Sequence, residues 1–438
     1  MMKIVIIGGS FAGIQAAIAS REYYPTAEIV LLEKQPQIGY IPGSLALLLQ
    51  GKMTELDQLN WVTAEELIEK YQIDVQCNQQ VEALEEENQL RLNTNEIVSF
   101  DRLIIATGSG QFSRYDAMNS QEPKSRVLRF KTRSEAQLLL DQLPQADKIA
   151  IIGAGQVGLE VAEGLASTGR EVHLFESNSQ LLFRYLDREM TEPLTEAIQE
   201  AGVALYLNCF VQELVESGEA VTLTTADSQE AFDLVLIATS TRPDNSLWEN
   251  ALMLNDDGTI LVDRWMQTSR TNVFAVGDAI QVTFRPTGEL MYISLVNNAL
   301  RTAKIAAANL AGPKLADQGT LRTVGNHLFG YYLGSTGLTE SEGIFYPSKI
   351  TSQVQELPVS LLSAEKQRIK LIFDDESRQL LGAQMVSAAP VLEVINRLAE
   401  AVRLKQTREM LSQGEAYFHP ALNLPEPLFA RGEQCHED

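Results

Sequence analysis

Two glycine clusters, each followed at a set distance by an acid, and a third acid in a separate Gly-Asp motif are the residues of this chain best suited to chemistry. Near the start, Gly8-Gly9-Ser10-Phe11-Ala12-Gly13 interrupts an apolar run, Lys3 to Ile7, and helix formers resume at Ile14. The theme returns as Gly153-Ala154-Gly155-Gln156-Val157-Gly158, after Lys148 to Ile152. Small residues at these places let the chain turn, let the backbone approach a phosphate, and let a helix pack close on its strand. The helix end presented there carries free N–H groups and a partial positive charge, which suit a pyrophosphate. Glu33 closes a second apolar strand 20 residues after Gly13, and Glu176 closes another 18 residues after Gly158. A carboxylate so placed accepts hydrogen bonds from the hydroxyls of an adenosine ribose. The third acid, Asp278, ends Thr271-Asn272-Val273-Phe274-Ala275-Val276-Gly277-Asp278-Ala279, where it can hold a polyol hydroxyl while Gly277 permits close approach. The plainer alternatives are a glycine turn in an unrelated α/β protein and an ordinary strand–turn.

Glu176 also bears on specificity. A carboxylate at the ribose favours a free 2′-hydroxyl and repels a 2′-phosphate. The residues that follow, Ser177-Asn178-Ser179, offer no arginine for such a phosphate. NADH is therefore expected over NADPH.

These groups need strands and helices to place them. Leu159 to Thr168 reads as the helix after the second glycine cluster, and Phe100 to Ala106 as a buried strand ending in Thr107-Gly108-Ser109. Leu45 to Leu49 is an apolar helix-like run, Thr63 to Tyr71 a short amphipathic helix, and Val75 to Ile97 a β-meander with an acidic turn at Glu85-Glu86-Glu87. Ser109 to Lys124, polar and glycine-containing, reads as a linker. Strands are expected within Leu321 to Gly334, Ile350 to Phe373 and Leu380 to Val386, and an amphipathic helix over Asn396 to Leu404.

With 438 residues the chain has material for two or three domains. Its net charge of −23 disfavours nucleic acid and anionic membranes as partners, and suits a solvated cytoplasmic surface. No apolar run approaches a membrane span, and neither a signal peptide nor a transmembrane helix is expected.

Cys77, Cys209 and Cys435 are far apart, with no C-x-x-C pair and no metal-ligand spacing, so no metal site is expected. Buried, inert thiols are the expectation for Cys77 and Cys209, and a loose tail for Cys435. Of four histidines, His173 alternates within an apolar strand and reads as a satisfied core residue. His419, beside Pro420, can titrate near neutral pH and is a candidate active-site group.

The ordered set of motifs resembles the pyridine nucleotide–disulfide oxidoreductase family. It comprises G-x-S-x-A-G with Glu33, Ala106-Thr107-Gly108, G-x-G-x-x-G with Glu176, and Ala275-Val276-Gly277-Asp278. Arg184 to Met190, Thr241 to Asp244, Ser335 to Thr339, Gly382 to Gln384 and Phe418-His419-Pro420 resemble the branch of NADH oxidases, NADH peroxidases and coenzyme A-disulfide reductases. The resemblance implies an α/β fold with two Rossmann-like dinucleotide-binding domains, one for FAD and one for NADH, plus a C-terminal α+β dimerisation domain. The FAD-binding domain would be discontinuous, 1–112 and 248–320, with the NADH-binding domain at 113–247 and the interface domain at 321–438.

By the same resemblance, Gly8, Ser10, Gly13 and Glu33 would hold the FAD pyrophosphate and ribose, with Phe11, Ala12 and Lys34 beside them. Val81 would lie near the adenine, Lys131 near the pyrophosphate, and Ala106, Thr107 and Gly108 at the domain crossover. Gly277 and Asp278 would take the ribityl chain, and Ala299 would lie near the isoalloxazine. Gly153, Gly155, Gln156, Val157, Gly158 and Glu176 would take NADH, with Glu163 near the nicotinamide and His419 near the partner's flavin. The implied partners are a second copy of the chain, through the C-terminal domain, and a small-molecule electron acceptor. Coenzyme A is a further candidate, in a groove near Arg21.

Three departures qualify the resemblance. The branch carries a redox cysteine beside the flavin in a segment like S-C-G, and Pro42-Gly43-Ser44 stands there, so Gly43 replaces the thiol. Phe11 replaces a histidine, and Gln156 a tyrosine at the nicotinamide pocket. Sulfenate or persulfide chemistry needs a thiolate at the flavin, which glycine cannot supply. The expected function is FAD-dependent NADH oxidation that passes electrons to oxygen or a small acceptor without a protein thiol, giving peroxide if the acceptor is oxygen. The alternatives are an NADH:quinone or other acceptor reductase, and a non-catalytic FAD/NADH- or coenzyme A-binding redox sensor.

Overall fold

A computed structural model of the chain describes residues 1–110 and 125–425. Most of the expected linker, the tail from residue 426, and with it Cys435 and His436, lie outside the described residues. The apolar runs flanking the two glycine clusters become the central strands of two separate five-stranded sheets. In the first, strands Val273–Ala275, Arg102–Ile105, Lys3–Ile7, Glu28–Leu32 and Asp74–Gln76 lie side by side and parallel. In the second the order is Ala204–Tyr206, Glu171–Phe175, Lys148–Ile152, Leu234–Ile237 and Val127–Leu128, again all parallel. Strands buried on both faces explain the unbroken Ile, Val and Leu runs. Ile4 to Ile6 and Ile149 to Ile151 are fully buried.

The second sheet is inserted into the first. Trp248, Ile260, Val273 and Phe274 return to the core formed by Ile4, Leu31 and Leu103. Three antiparallel strands, Val81–Leu84, Gln89–Leu92 and Ile97–Ser99, form the expected meander, with one 3₁₀ turn at its acidic bend. Thr63 caps the helix Ala64–Tyr71 through a reciprocal pair of hydrogen bonds with Glu66.

The C-terminal sheet is antiparallel, in the order Val324–Leu328, Tyr331–Gly337, Leu380–Ser387, Lys366–Asp374 and Ile350–Pro358. Helix Glu393–Arg403, which starts earlier than the expected Asn396, buries Ile395, Leu398, Ala401 and Val402 against it. Among the described residues no helix is long and apolar enough to cross a membrane.

One segment packs differently from its place in the sequence. Leu45 and Ala46 of the short helix Leu45–Leu49, with Leu56 and Leu59, join the core of the second sheet, alongside Ile149, Leu159, Leu328 and Leu333. The chain just after Gly43 thus bridges the two parallel modules. Cys77 and Cys209 are half-buried, not sealed in the core as expected, because each lies just beyond the end of a short edge strand. His173 is buried and satisfied, with Nε2 2.8 Å from Glu171 and Nδ1 3.2 Å from the Tyr206 hydroxyl.

Candidate dinucleotide sites

The two glycine turns are built alike. Gly8 and Gly153 both adopt φ +109°, a conformation that glycine alone tolerates well. A Cβ on Gly8 would meet the Ala106 carbonyl oxygen at 2.3 Å, and one on Gly153 would meet that of Ala238 at 2.7 Å. Ala238-Thr239 therefore does for the second module what Ala106-Thr107 does for the first. The sequence signal was the same Ala-Thr pair closing a buried strand. Gly13 and Gly158 let each helix descend on its turn, since an added Cβ would lie 1.7 Å and 2.0 Å from the carbonyl oxygens of Gly8 and Gly153.

Helices Phe11–Tyr23 and Gln156–Ala166 begin at Ser10 and Gly155, and neither has a side-chain cap. Their first-turn N–H groups are thus presented to an anion. Beside Gly155 and Gly108 no described atom lies within 4 Å of where a Cβ would stand. These open cradles at strand C-terminal ends fit two pyrophosphates.

The two acids repeat the correspondence. Glu33 Oε2 accepts the Gly9 N–H at 2.6 Å and Oε1 the Gln35 N–H at 2.8 Å. Glu176 Oε2 accepts the Ala154 N–H at 2.9 Å, while Oε1 accepts the backbone N–H of Asn178 at 2.8 Å and its side-chain amide at 2.6 Å. Each carboxylate is fixed against its own glycine turn. Lys34 is exposed beside Glu33, and Val81 is buried at the start of the meander.

Gly277 brings the third motif to the first helix. A Cβ there would lie 2.9 Å from that of Ala12 and 3.8 Å from that of Ala299. Asp278 accepts hydrogen bonds from Ser109 Oγ at 2.6 Å and Ser294 Oγ at 2.5 Å. Lys131 Nζ reaches Ser109 Oγ at 2.7 Å, so it stands at the Asp278 end of the site. Burial lowers the Lys131 ammonium pKa, against the pull of Asp278 and Glu135.

The Pro42-Gly43-Ser44 loop faces the second module. Gly43 is buried, with φ +85°, and a Cβ on it would meet Val157 Cγ2 at 3.4 Å and Glu160 Oε2 at 3.9 Å. Ser44 Oγ donates to the Ile41 carbonyl at 2.6 Å and tightens the turn. Burial, then the charge of Glu163, raise the Glu160 carboxyl to about 7, while Lys52 opposes them. Phe11 is stacked on Trp61, with ring centroids 5.2 Å apart. Gln156 is half-buried at the first position of its helix.

Glu163, expected near the nicotinamide, is held by two other parts of the chain. Its Oε2 accepts the Gln50 amide and its Oε1 the Phe329 N–H, both at 2.9 Å. Both oxygens are engaged by protein donors, and Glu160, one helical turn earlier, is the carboxylate that faces Gly43. The sequence reading passed over Glu160, although it stands two residues after Gly158. Arg21 offers no free guanidinium to coenzyme A, because it donates to the carbonyls of Pro25, Ala27, Tyr71 and Gln72 at 2.8–2.9 Å. His419 is exposed, and its Nδ1 accepts the Ala421 N–H at 3.3 Å.

Comparison with known proteins agrees with this geometry. Residues 2–303 match the pyridine nucleotide-disulphide oxidoreductase family, and residues 327–426 match the dimerisation domain of the same family. An NADH oxidase of Enterococcus faecalis is 28% identical, with 97% of each chain covered. The crystal structure of a pyridine nucleotide-disulfide family oxidoreductase from Enterococcus faecalis is 34% identical, with a TM-score of 0.85 over 98% of this chain and 97% of that one. The water-forming NADH oxidase from Lactobacillus brevis, solved bound to NADH, is 27% identical, with a TM-score of 0.92 over 98% and 97%. Two matching glycine turns, each with its strand, helix and anchored acid, and a family match that spans both, lead to one conclusion: this chain belongs to the pyridine nucleotide-disulphide oxidoreductase family.

Proposed function

We infer that the protein is an FAD-dependent NADH oxidase that passes electrons to oxygen without a protein thiol. The observation that carries this reading is the pair of matched dinucleotide turns, with Gly43 set against the second of them. Bound FAD supplies the hydride acceptor and the route from a two-electron donor to oxygen. The chain supplies position and electrostatics.

In the roles we assign, the Ser10 to Gly13 turn holds the FAD pyrophosphate and Glu33 the ribose, while Asp278 accepts from the ribityl hydroxyls. Ser109 and Lys131 fix that aspartate. The Gly155 to Gly158 turn and Glu176 hold NADH, and Val157 and Glu160 close the space beside Gly43. We assign FAD to residues 1–112 and 248–320, NADH to 113–247, and the subunit interface to 321–438. A second copy suits the apolar surface of that last region, where Ile344, Phe345, Leu362 and Tyr417 are 64–82% exposed. In that dimer His419 would serve the partner's site.

With no thiolate to reduce it further, hydrogen peroxide is the expected product. Anaerobic titration with NADH, followed by oxygen and a peroxide assay, tests the reading. Bleaching of the flavin by one equivalent and stoichiometric peroxide are expected. Water without detectable peroxide would overturn the thiol-free route, and the absence of bleaching would overturn the oxidase itself.

A further inference from the structure

Glu163 sits where three parts of the chain meet. It projects from the helix Gln156–Ala166, whose first turn faces the NADH pyrophosphate in our assignment. One carboxylate oxygen takes the Gln50 amide, at the end of the helix that follows the Gly43 loop. The other takes the N–H of Phe329, at the tip of the hairpin joining Val324–Leu328 to Tyr331–Gly337. Phe329 is held at φ +48°, an uncommon conformation for a bulky residue, and Gly330 follows at +83°. The turn is formed so that this N–H reaches the carboxylate.

The packing around Glu163 agrees. A Cβ on Gly164 would meet Leu49 Cβ at 2.7 Å, so the helices Leu45–Leu49 and Gln156–Ala166 touch at close range. Leu45, Leu159 and Leu328, one from each part, share a single core. One turn before Glu163, Glu160 faces Gly43.

We propose that Glu163 is a positioning residue through which the C-terminal hairpin fixes Glu160 and the Gly43 loop at the junction of flavin and nicotinamide. This rests on the oxidase reading. Glu163 acts in two ways. Its hydrogen bonds hold the Gly43 side of the site against the NADH side. Its charge adds to burial in raising the Glu160 carboxyl to about 7, and Lys52 is the opposing charge.

The test compares wild type with Glu163→Ala and Glu163→Gln in the purified holoenzyme. Flavin reduction by NADH is followed anaerobically by stopped flow between pH 5.5 and 8.5 (roughly one and a half units either side of the Glu160 midpoint). Glu163→Ala should slow reduction on the order of tenfold, with little change in the NADH dissociation constant. It should also move the midpoint of the pH profile below that of wild type. Glu163→Gln keeps one of the two acceptors and no charge, so it should recover part of the rate while keeping the shifted midpoint.

Amide exchange in the NADH-free protein gives an independent readout. Glu163→Ala should speed exchange at both Leu45–Gln50 and Leu328–Tyr331. Unchanged rate and midpoint in both variants would overturn the proposal and leave Glu163 a structural strut. If wild-type flavin is not reduced at all, the oxidase reading falls and takes the proposal with it. If Glu163→Ala does not fold, the pH midpoint of Glu163→Gln decides.

Discussion

A first side-chain carbon on Gly43 would stand 3.9 Å from Oε2 of Glu160. Gly43 is thus faced by a carboxyl group. Contacts around that carbon are ordinary, at 3.4 Å or more, so a substitution there is opposed by the backbone at φ +85° and not by crowding.

Gly43→Ala should therefore cost about 1–2 kcal/mol, the penalty of a left-handed alanine. A thermal melt should show a drop of a few degrees with the flavin retained. Gly43→Cys should show the same drop and place a thiol at the loop. Its peroxide yield per NADH should fall below that of wild type.

Glu160 should set a pH dependence. Burial is the main cause of its rise to about 7, so it is neutral below that pH and charged above it. Raised above its unfolded value near 4.5, it favours the folded chain at low pH, and that advantage is lost as pH rises through 7. Glu160→Gln should flatten the pH profile of flavin reduction between 6 and 8 (roughly a unit either side of the midpoint). Relative to wild type, it should also be more stable at pH 8 than at pH 5, as urea unfolding would show, by up to about 3 kcal/mol.

Glu176→Ala should raise KM for NADH by on the order of tenfold, the loss of hydrogen bonds from a charged acceptor. Discrimination against NADPH should fall, because the charge that repels a 2′-phosphate has gone. Steady-state kinetics with both nucleotides measure this. Unaltered discrimination would place the ribose elsewhere.

Lys370 ties the second module to the C-terminal sheet. Its side chain is 1% exposed, and its ammonium lies 3.0 Å from Asp187 Oδ2 and 2.5 Å from Glu340 Oε2, with Glu189 as third partner. Burial alone would raise the Asp187 carboxyl, but the Glu340 N–H, the Gln384 amide and Lys370 outweigh it and hold the carboxyl low. Lys370→Met would leave three carboxylates without their cation, at a cost of about 3 kcal/mol or more. The loss in Tm should be greater at pH 7 than at pH 5, because protonation relieves the uncompensated charge.

Much of the site was legible in the sequence, because each dinucleotide turn is local. A glycine at φ +109°, the helix it opens and the acid about twenty residues later lie within one strand–helix–strand unit. Their geometry follows from residue type and spacing, which is why Gly8, Gly13 and Glu33 could be read alongside Gly153, Gly158 and Glu176. The meander and the capped helix at Thr63 were readable for the same reason. What only the tertiary structure decided was contact between distant segments. Residue spacing on one helix cannot say which of Glu160 and Glu163 faces a loop more than a hundred residues away. The packing of Leu45 and Ala46 into the second core, and the reach of the Phe329 hairpin, made that choice. Arg21 was likewise turned from a candidate ligand group into a backbone clamp by the carbonyls of Pro25, Ala27, Tyr71 and Gln72. Short-range sterics wrote the turns into the sequence, whereas the hydrophobic burial that joins the modules is non-directional and becomes specific only once the chain is packed.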